Sequence, residues 1–303
     1  MPGPAPPSTT SQRSRNQKLS VDNEAIVAAG FYTHPVAGRV DLGALVKTAC
    51  DGVVSYDPEA TQRLLQQVTQ APPPPAFDTQ IEVTPETSTA AHERLALAEH
   101  ATSIAVLNFA SARNPGGGYL GGARAQEEDV CRSSALYTTL MTPAAAGFYA
   151  HHNKVRDTRY SHRVVWSPAV PVYRDSATGA LLAKPYAVGF LTSPAPNAGA
   201  LKKANPAAFA TVPALLRERA ARVLAVAAAH NVRVIVLGAW GCGVFQCRAE
   251  DTASAFAVLL APGGPFHGVF ERVVFAVYDT SKSQDTIGAF RNAFPIGSRT
   301  KHS

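Results

Sequence analysis

The chain has 303 residues, a mass of 31.9 kDa and 46% hydrophobic residues, enough for one large domain or two small ones with a substantial core. A net charge of +6 and a pI near 9.2 favour an anionic or phosphate-bearing ligand, though part of that excess lies in the termini. Cys50, Cys131, Cys242 and Cys247 lack metal-ribbon or disulfide spacing, no apolar run reaches bilayer length, and the N-terminus lacks a secretory apolar core. These features predict a soluble intracellular protein, cytoplasmic or nuclear, without a bound metal, redox cofactor or membrane partner, and nothing in them requires more than a monomer.

Residues 1–18 are rich in Pro, Ser and Gln with almost nothing apolar, and read as a disordered tail. A short helix is predicted over 23–30, a strand or hairpin over 39–47 and a second helix over 61–70. The proline run at 72–75 cannot continue that helix. It divides an N-terminal helical extension, 19–75, from a core at 76–296, and 297–303 read as a flexible tail. The core opens with a strand over 77–83 and a helix over 88–99. Residues 103–109 are a largely apolar run of strand length, which fits a strand buried on both faces.

A glycine-dense loop follows, with Gly116, Gly117, Gly118, Gly121 and Gly122, and then the triplet Gln126, Glu127, Glu128. The triplet opens a segment in which Val130, Ser134, Tyr137 and Met141 recur at helical spacing. Short strands are predicted over 164–167 and 170–173 around Pro168, and another over 186–191. An alanine-rich helix spans 212–230 and a strand 232–237. Then come a helix at 249–260, a strand at 269–278 and a closing helix at 284–294. This alternation argues for an α/β sandwich with a mostly parallel or mixed sheet, whose ligand site lies beyond the carboxyl ends of its strands.

Two loops fall at such ends, one at 108–125 and one at 238–246. Glycine-rich strand-to-helix loops present backbone N–H groups to an anion, and two of them can enclose a diphosphate. Neither is followed by the Gly-Lys-Ser/Thr of a nucleotide-hydrolysing loop, and neither is a dinucleotide fingerprint at the first strand. A pair of acids at a helix start also has a plain explanation, because Asp and Glu favour helix N-termini for dipole reasons. The close triple glycine tips the balance toward a site. His151, His152 and His162 lack ligand spacing and read as a solvated loop, and Arg217, Arg219 and Arg222 read as the solvated face of their helix, or as a track for a polyanion. Cys242 reads as packed under its loop, and Trp240 as core.

The triple glycine, seven intervening residues and Gln126-Glu127-Glu128 together resemble the signature of poly(ADP-ribose) glycohydrolases. The string NFASARNPGGGYLGGARAQEE resembles their microbial type, and GAWGCGVF the diphosphate loop of macrodomains. The resemblance implies a three-layer α/β/α macrodomain with a mixed central sheet and an N-terminal helical extension. It implies a glycosidase that cleaves ribose–ribose bonds in poly(ADP-ribose) or another ADP-ribosylated macromolecule, with ADP-ribose as product. By position, Glu128 corresponds to the general acid that protonates the leaving oxygen and then activates water, Glu127 to the acid holding ribose hydroxyls, and Gln126 to the residue fixing them. Asn108 and Asn114 then lie near the terminal ribose, with Gly116, Gly117 and Gly118 against the ribose and phosphate. Gly241, Cys242, Gly243, Val244 and Phe245 wrap the diphosphate, and Tyr278 and Asp279 approach adenine. Removal of a single ADP-ribose from a protein or nucleic acid, or binding without cleavage, are the alternatives on the same fold.

Overall fold

The computed structural model describes residues 11–70 and 76–295. The proline run, residues 1–10 of the predicted N-terminal tail and the whole predicted C-terminal tail lie outside these residues. The N-terminal region contains α1 (Gln12–Ala29), the hairpin β1 (Phe31–His34) and β2 (Gly38–Asp41), α2 (Gly43–Asp51), β3 (Val54–Tyr56) and α3 (Pro58–Gln70). The remainder runs β4 (Gln80–Thr84), α4 (Ser88–Glu93), β5 (Ile104–Phe109), α5 (Gln126–Ser133), α6 (Leu136–Leu140) and α7 (Pro143–Val155). It continues with β6 (Val164–Arg174), β7 (Leu181–Ser193), α8 (Ala198–Ala204), α9 (Pro206–Phe209), α10 (Val212–Ala229) and β8 (Val234–Gly238). The last elements are α11 (Ala249–Leu260), β9 (Arg272–Ala276) and α12 (Asp285–Ala293).

Seven strands form one mixed sheet in the order β3-β6-β7-β5-β8-β9-β4. β5 pairs in parallel with β7 and β8, and β8, β9 and β4 continue in parallel, whereas β3, β6 and β7 pair antiparallel. The apolar run of β5 has its cause here. Ala105 and Leu107 join a core with α10, α11 and α12, while Ile104 and Val106 join a second core with α2, α5, α6 and α7. β8 and β9 divide their side chains between the same two cores, so helices cover both faces of the sheet. The carboxyl ends of β5, β8 and β9 therefore point to one edge, and the two glycine loops leave from there.

Several expectations are corrected. Residues 12–18 belong to α1, whose N-terminus is capped by the Ser11 side chain accepting from Ser14 N–H, rather than to a tail. Its buried face is Asn16, Ser20 and Asn23, so no apolar periodicity announced it. The segment at 39–47 is split between β2 and α2. The helical pattern at 126–141 breaks at Ser134, which takes extended backbone and bridges to Val172 of β6. The two short strands around Pro168 are one long strand with an irregularity between Ser167 and Val170, where Ala169 has φ +45.

His152 is not in a solvated loop: it is buried in α7, where Nδ1 meets the Phe148 carbonyl and Nε2 meets Ser161. Burial lowers its pKa to about 4, so the ring is neutral at pH 7. Arg219 and Arg222 are not on a solvated face either, since both are buried. Arg222 holds Glu218 and the Pro58 carbonyl, tying α10 to α3. Among the described residues no cluster of His, Cys, Asp and Glu could hold a metal ion, and no helix is long and apolar enough to cross a membrane.

Candidate active site

Gln126 fixes where the acids begin. Its side-chain oxygen accepts from Phe109 N–H at 2.8 Å, and its amide nitrogen donates to the Leu107 carbonyl at 2.9 Å and to Ser88 Oγ at 3.1 Å. The pairing of β5 with β8 reaches only Val106, so this amide satisfies strand groups left without a neighbour. The first residue of α5 is thereby bolted to the end of β5.

Glu127 and Glu128 follow, both buried. Glu127 accepts from Ser111 N–H at 2.6 Å through Oε2 and from Asn108 Nδ2 at 3.3 Å through Oε1. Burial pushes its carboxyl up to about 8; the hydrogen bonds from Ser111 and Asn108 oppose the shift, and the charge of Glu128 adds to it. Glu128 is anchored through one oxygen only. Its Oε1 accepts from Gly118 N–H at 2.8 Å, and its buried Oε2 has no hydrogen-bond partner among the described residues.

The acids explain one glycine directly. Gly117 has φ +60, and a Cβ there would stand 2.4 Å from Glu128 Oε1 and 3.0 Å from Glu127 Oε2. Behind the loop, α1 forms a polar clamp: Ser20 Oγ donates to the Tyr119 carbonyl at 2.7 Å, and Arg13 Nε to the Gly121 carbonyl at 3.0 Å. At Gly122, with φ +72, an added Cβ would lie 2.2 Å from the Arg13 carbonyl oxygen, so this face of the loop is packed against α1.

The second loop leaves β8. Trp240 is core, as expected, and its ring nitrogen donates to the Ser193 carbonyl at 3.0 Å. Gly241 has φ +81 over Ala195 and Cys247. Burial pushes the Cys242 thiol up to about 11 and the Cys247 thiol up to about 12, which disfavours a thiolate nucleophile. Gly243 has open space where a Cβ would be, Val244 is 82% exposed, and the Phe245 ring lies 5.6 Å from that of Tyr160.

A cleft of about 1370 Å³ joins the two loops. It is lined by Asn114, Gly117, Gly118, Gln126, Glu127, Glu128, Gly241, Cys242, Gly243, Val244, Phe245 and Tyr278. Three predicted residues stand elsewhere. Asn108 has no exposed surface and lies behind the acids, joining Glu127 to Thr192 Oγ1. Gly116 packs beneath the loop against Tyr137. Asp279 accepts from Ser281, Thr286 and Ile287 N–H groups, so its carboxylate caps α12 instead of facing the cleft. Sequence reasoning missed Ser111, Thr87, Tyr160, and Gln12 and Asn16 of α1, which also line the cleft. For α1, the Ser11 cap and the Gly30 terminus were the readable signals.

The family whose description is microbial-type PARG, catalytic domain, matches residues 20–175, which include the acid loop but end before the second loop. Solved structures extend the likeness. Poly(ADP-ribose) glycohydrolase from Thermomonospora curvata is 44% identical with a TM-score of 0.87, covering 93% of this chain and 100% of that one. The same enzyme bound to the inhibitor ADP-HPD is 44% identical, with a TM-score of 0.84 and the same coverage. Poly(ADP-ribose) glycohydrolase from Deinococcus radiodurans in complex with ADP-ribose is 44% identical with a TM-score of 0.78, covering 84% of this chain and 99% of that one. A search of curated proteins finds no match.

Proposed function

The chain belongs to the microbial-type poly(ADP-ribose) glycohydrolases, and from that membership we propose that it hydrolyses ribose–ribose O-glycosidic bonds of poly(ADP-ribose), releasing ADP-ribose. The observation that carries the proposal is the asymmetry of the acid pair. Glu127 is held through both oxygens, whereas Glu128 is held through one and has a second oxygen without a partner beside the cleft. A fixed acid suits holding sugar hydroxyls, and a half-free one suits moving a proton.

Cleavage of a ribosyl bond passes through an oxocarbenium-like state and needs a proton at the leaving oxygen. Burial holds the Glu127 carboxyl near 8, so Glu127 keeps its proton at neutral pH. Glu128 delivers a proton to the leaving ribose oxygen as the C–O bond breaks. The resulting carboxylate then takes a proton from the water that attacks the anomeric carbon, which restores the pair. Gly117 and Gly118 let the terminal ribose approach the main chain, and the second loop, from Gly241 to Phe245, wraps the diphosphate with Tyr278 toward the adenine. The N-terminal extension belongs to the catalytic unit, since α1 holds the glycine loop from behind.

The test is to incubate the protein with poly(ADP-ribose) and, separately, with a mono-ADP-ribosylated protein, following free ADP-ribose. Release from the polymer is expected, with kcat falling above about pH 8 as Glu127 loses its proton. Release only from the mono-modified protein would replace the polymer as substrate, and release from neither would leave a binding module.

A further inference from the structure

The acid loop is explained by its own hydrogen bonds, but the second loop is held by something the reaction does not use. Arg219 of α10 is fully buried, and among the described residues it makes no ion pair with a carboxylate. Its guanidinium donates to three carbonyls: Pro194 at 2.7 Å, Arg159 at 2.8 Å and Tyr160 at 3.4 Å, while Nε has no partner among the described residues. Burial lowers it to about 10, so it remains charged at pH 7. A buried cation without a carboxylate is costly, and an apolar side chain would suit the neighbouring Leu216, Ala220 and Val223.

The carbonyls it joins belong to two segments far apart in sequence that form the bed of the second loop. On one side, Gly241 packs against Ala195, the Cys247 thiol donates to the Pro196 carbonyl, and Gly199 N–H donates to the Phe245 carbonyl. On the other, the Tyr160 ring lies tilted against that of Phe245 and lines the cleft. Tyr160 has φ +58, a left-handed conformation that a bulky residue keeps only when its surroundings impose it. The His152 ring, perpendicular to Tyr160 at 5.8 Å, and the Arg219 fork behind its carbonyl supply that imposition.

We propose that Arg219 is a positioning residue for ligand binding: by clipping the Tyr160 and Pro194 segments together it holds Tyr160 and Ala195 as the two walls between which the second loop is set. Tyr160 is then a direct wall of the cleft beside Phe245. This rests on the reading that the second loop wraps the diphosphate of ADP-ribose. The acids hang on Ser111, Asn108 and Gly118, none of which Arg219 touches, so binding changes and chemistry does not.

The experiment measures the Kd for ADP-ribose, and KM and kcat on poly(ADP-ribose), for Arg219→Gln, Arg219→Lys, Tyr160→Ala and Phe245→Ala, with thermal melting to confirm folding. Arg219→Gln is expected to raise Kd and KM about tenfold with kcat within about twofold, and Arg219→Lys, which keeps the charge, to recover part of the loss. Tyr160→Ala is expected to reproduce the KM rise, and it decides the question if the Arg219 variants do not fold. Unchanged Kd and KM in folded Arg219→Gln, or a fall in kcat at constant KM, overturns the proposal, as does an unchanged KM in Tyr160→Ala. No effect in Phe245→Ala would instead remove the second loop as a ligand wall. An effect at Phe245 with none at Arg219 or Tyr160 overturns this inference alone.

Discussion

The two glycine loops sit at the ends of parallel strands in one sheet, yet they are built in opposite ways. The loop after β5 is closed from both sides: carboxylates occupy its front at Gly117 and Gly118, and α1 its back at Gly121 and Gly122. The loop after β8 is braced from beneath, through Gly241 and Cys247, and at its far end through Phe245, and its tip at Gly243 and Val244 is open. A group that must present a proton within tenths of an ångström needs the first kind of loop. One that must close around a flexible phosphate chain is better served by the second.

A glycine exchange breaks this contrast most sharply. Gly117→Ala drives a methyl into both acids and is expected to cut kcat about a hundredfold or more, whereas Gly243→Ala meets open space and should stay within about threefold. Equal effects in steady-state assays would mean that the two loops are not differently constrained.

Glu127→Gln sharpens the comparison through pH. The native carboxyl holds its proton up to about 8, while the unfolded chain releases it near 4.5. Wild-type stability from this group is therefore fully present below about pH 4.5, declines through pH 8 and is flat above, a change on the order of a few kcal/mol. Melting curves of Glu127→Gln across pH 4 to 9 should lose that decline. A variant that follows the wild-type curve would place the titrating group elsewhere.

Ser20→Ala removes the hydrogen bond from α1 to the Tyr119 carbonyl and should cost about 1 kcal/mol in denaturant unfolding, with a smaller loss of activity. Cys242→Ala is the mildest change. With the thiol pushed up to about 11, activity is expected within about twofold of wild type, and a large loss would make the thiol a participant.

What the sequence disclosed follows from the same physics. Strands buried on both faces, such as β5 and β8, show themselves as apolar runs, and α11 has the predicted bounds because its apolar stripe is regular. The acid loop was legible because carboxylates and chain reversal leave few alternatives to glycine at Gly117. The first half of α1 was not legible, since it docks through Asn16 and Ser20 and has no apolar stripe to read, whereas its second half fell within the helix predicted over 23–30. Asn108 and Asp279 show the opposite failure. Motif position brought them to the site, but which way each side chain turns was decided by Glu127 and by the start of α12. The buried Arg219 was read as solvated because a helix face rich in arginine usually is, and only its carbonyl partners across long sequence separations reveal otherwise.

The central claim is that Glu128 moves the proton while the rest of the cleft holds the ligand. Single-turnover release of ADP-ribose from poly(ADP-ribose) by Glu128→Gln, paired with calorimetric binding of ADP-ribose to the same variant, tests it directly. Turnover is expected to fall about a thousandfold or more with binding within a few-fold of wild type. Cleavage at the wild-type rate, or a loss of binding that accounts for the whole defect, would contradict it.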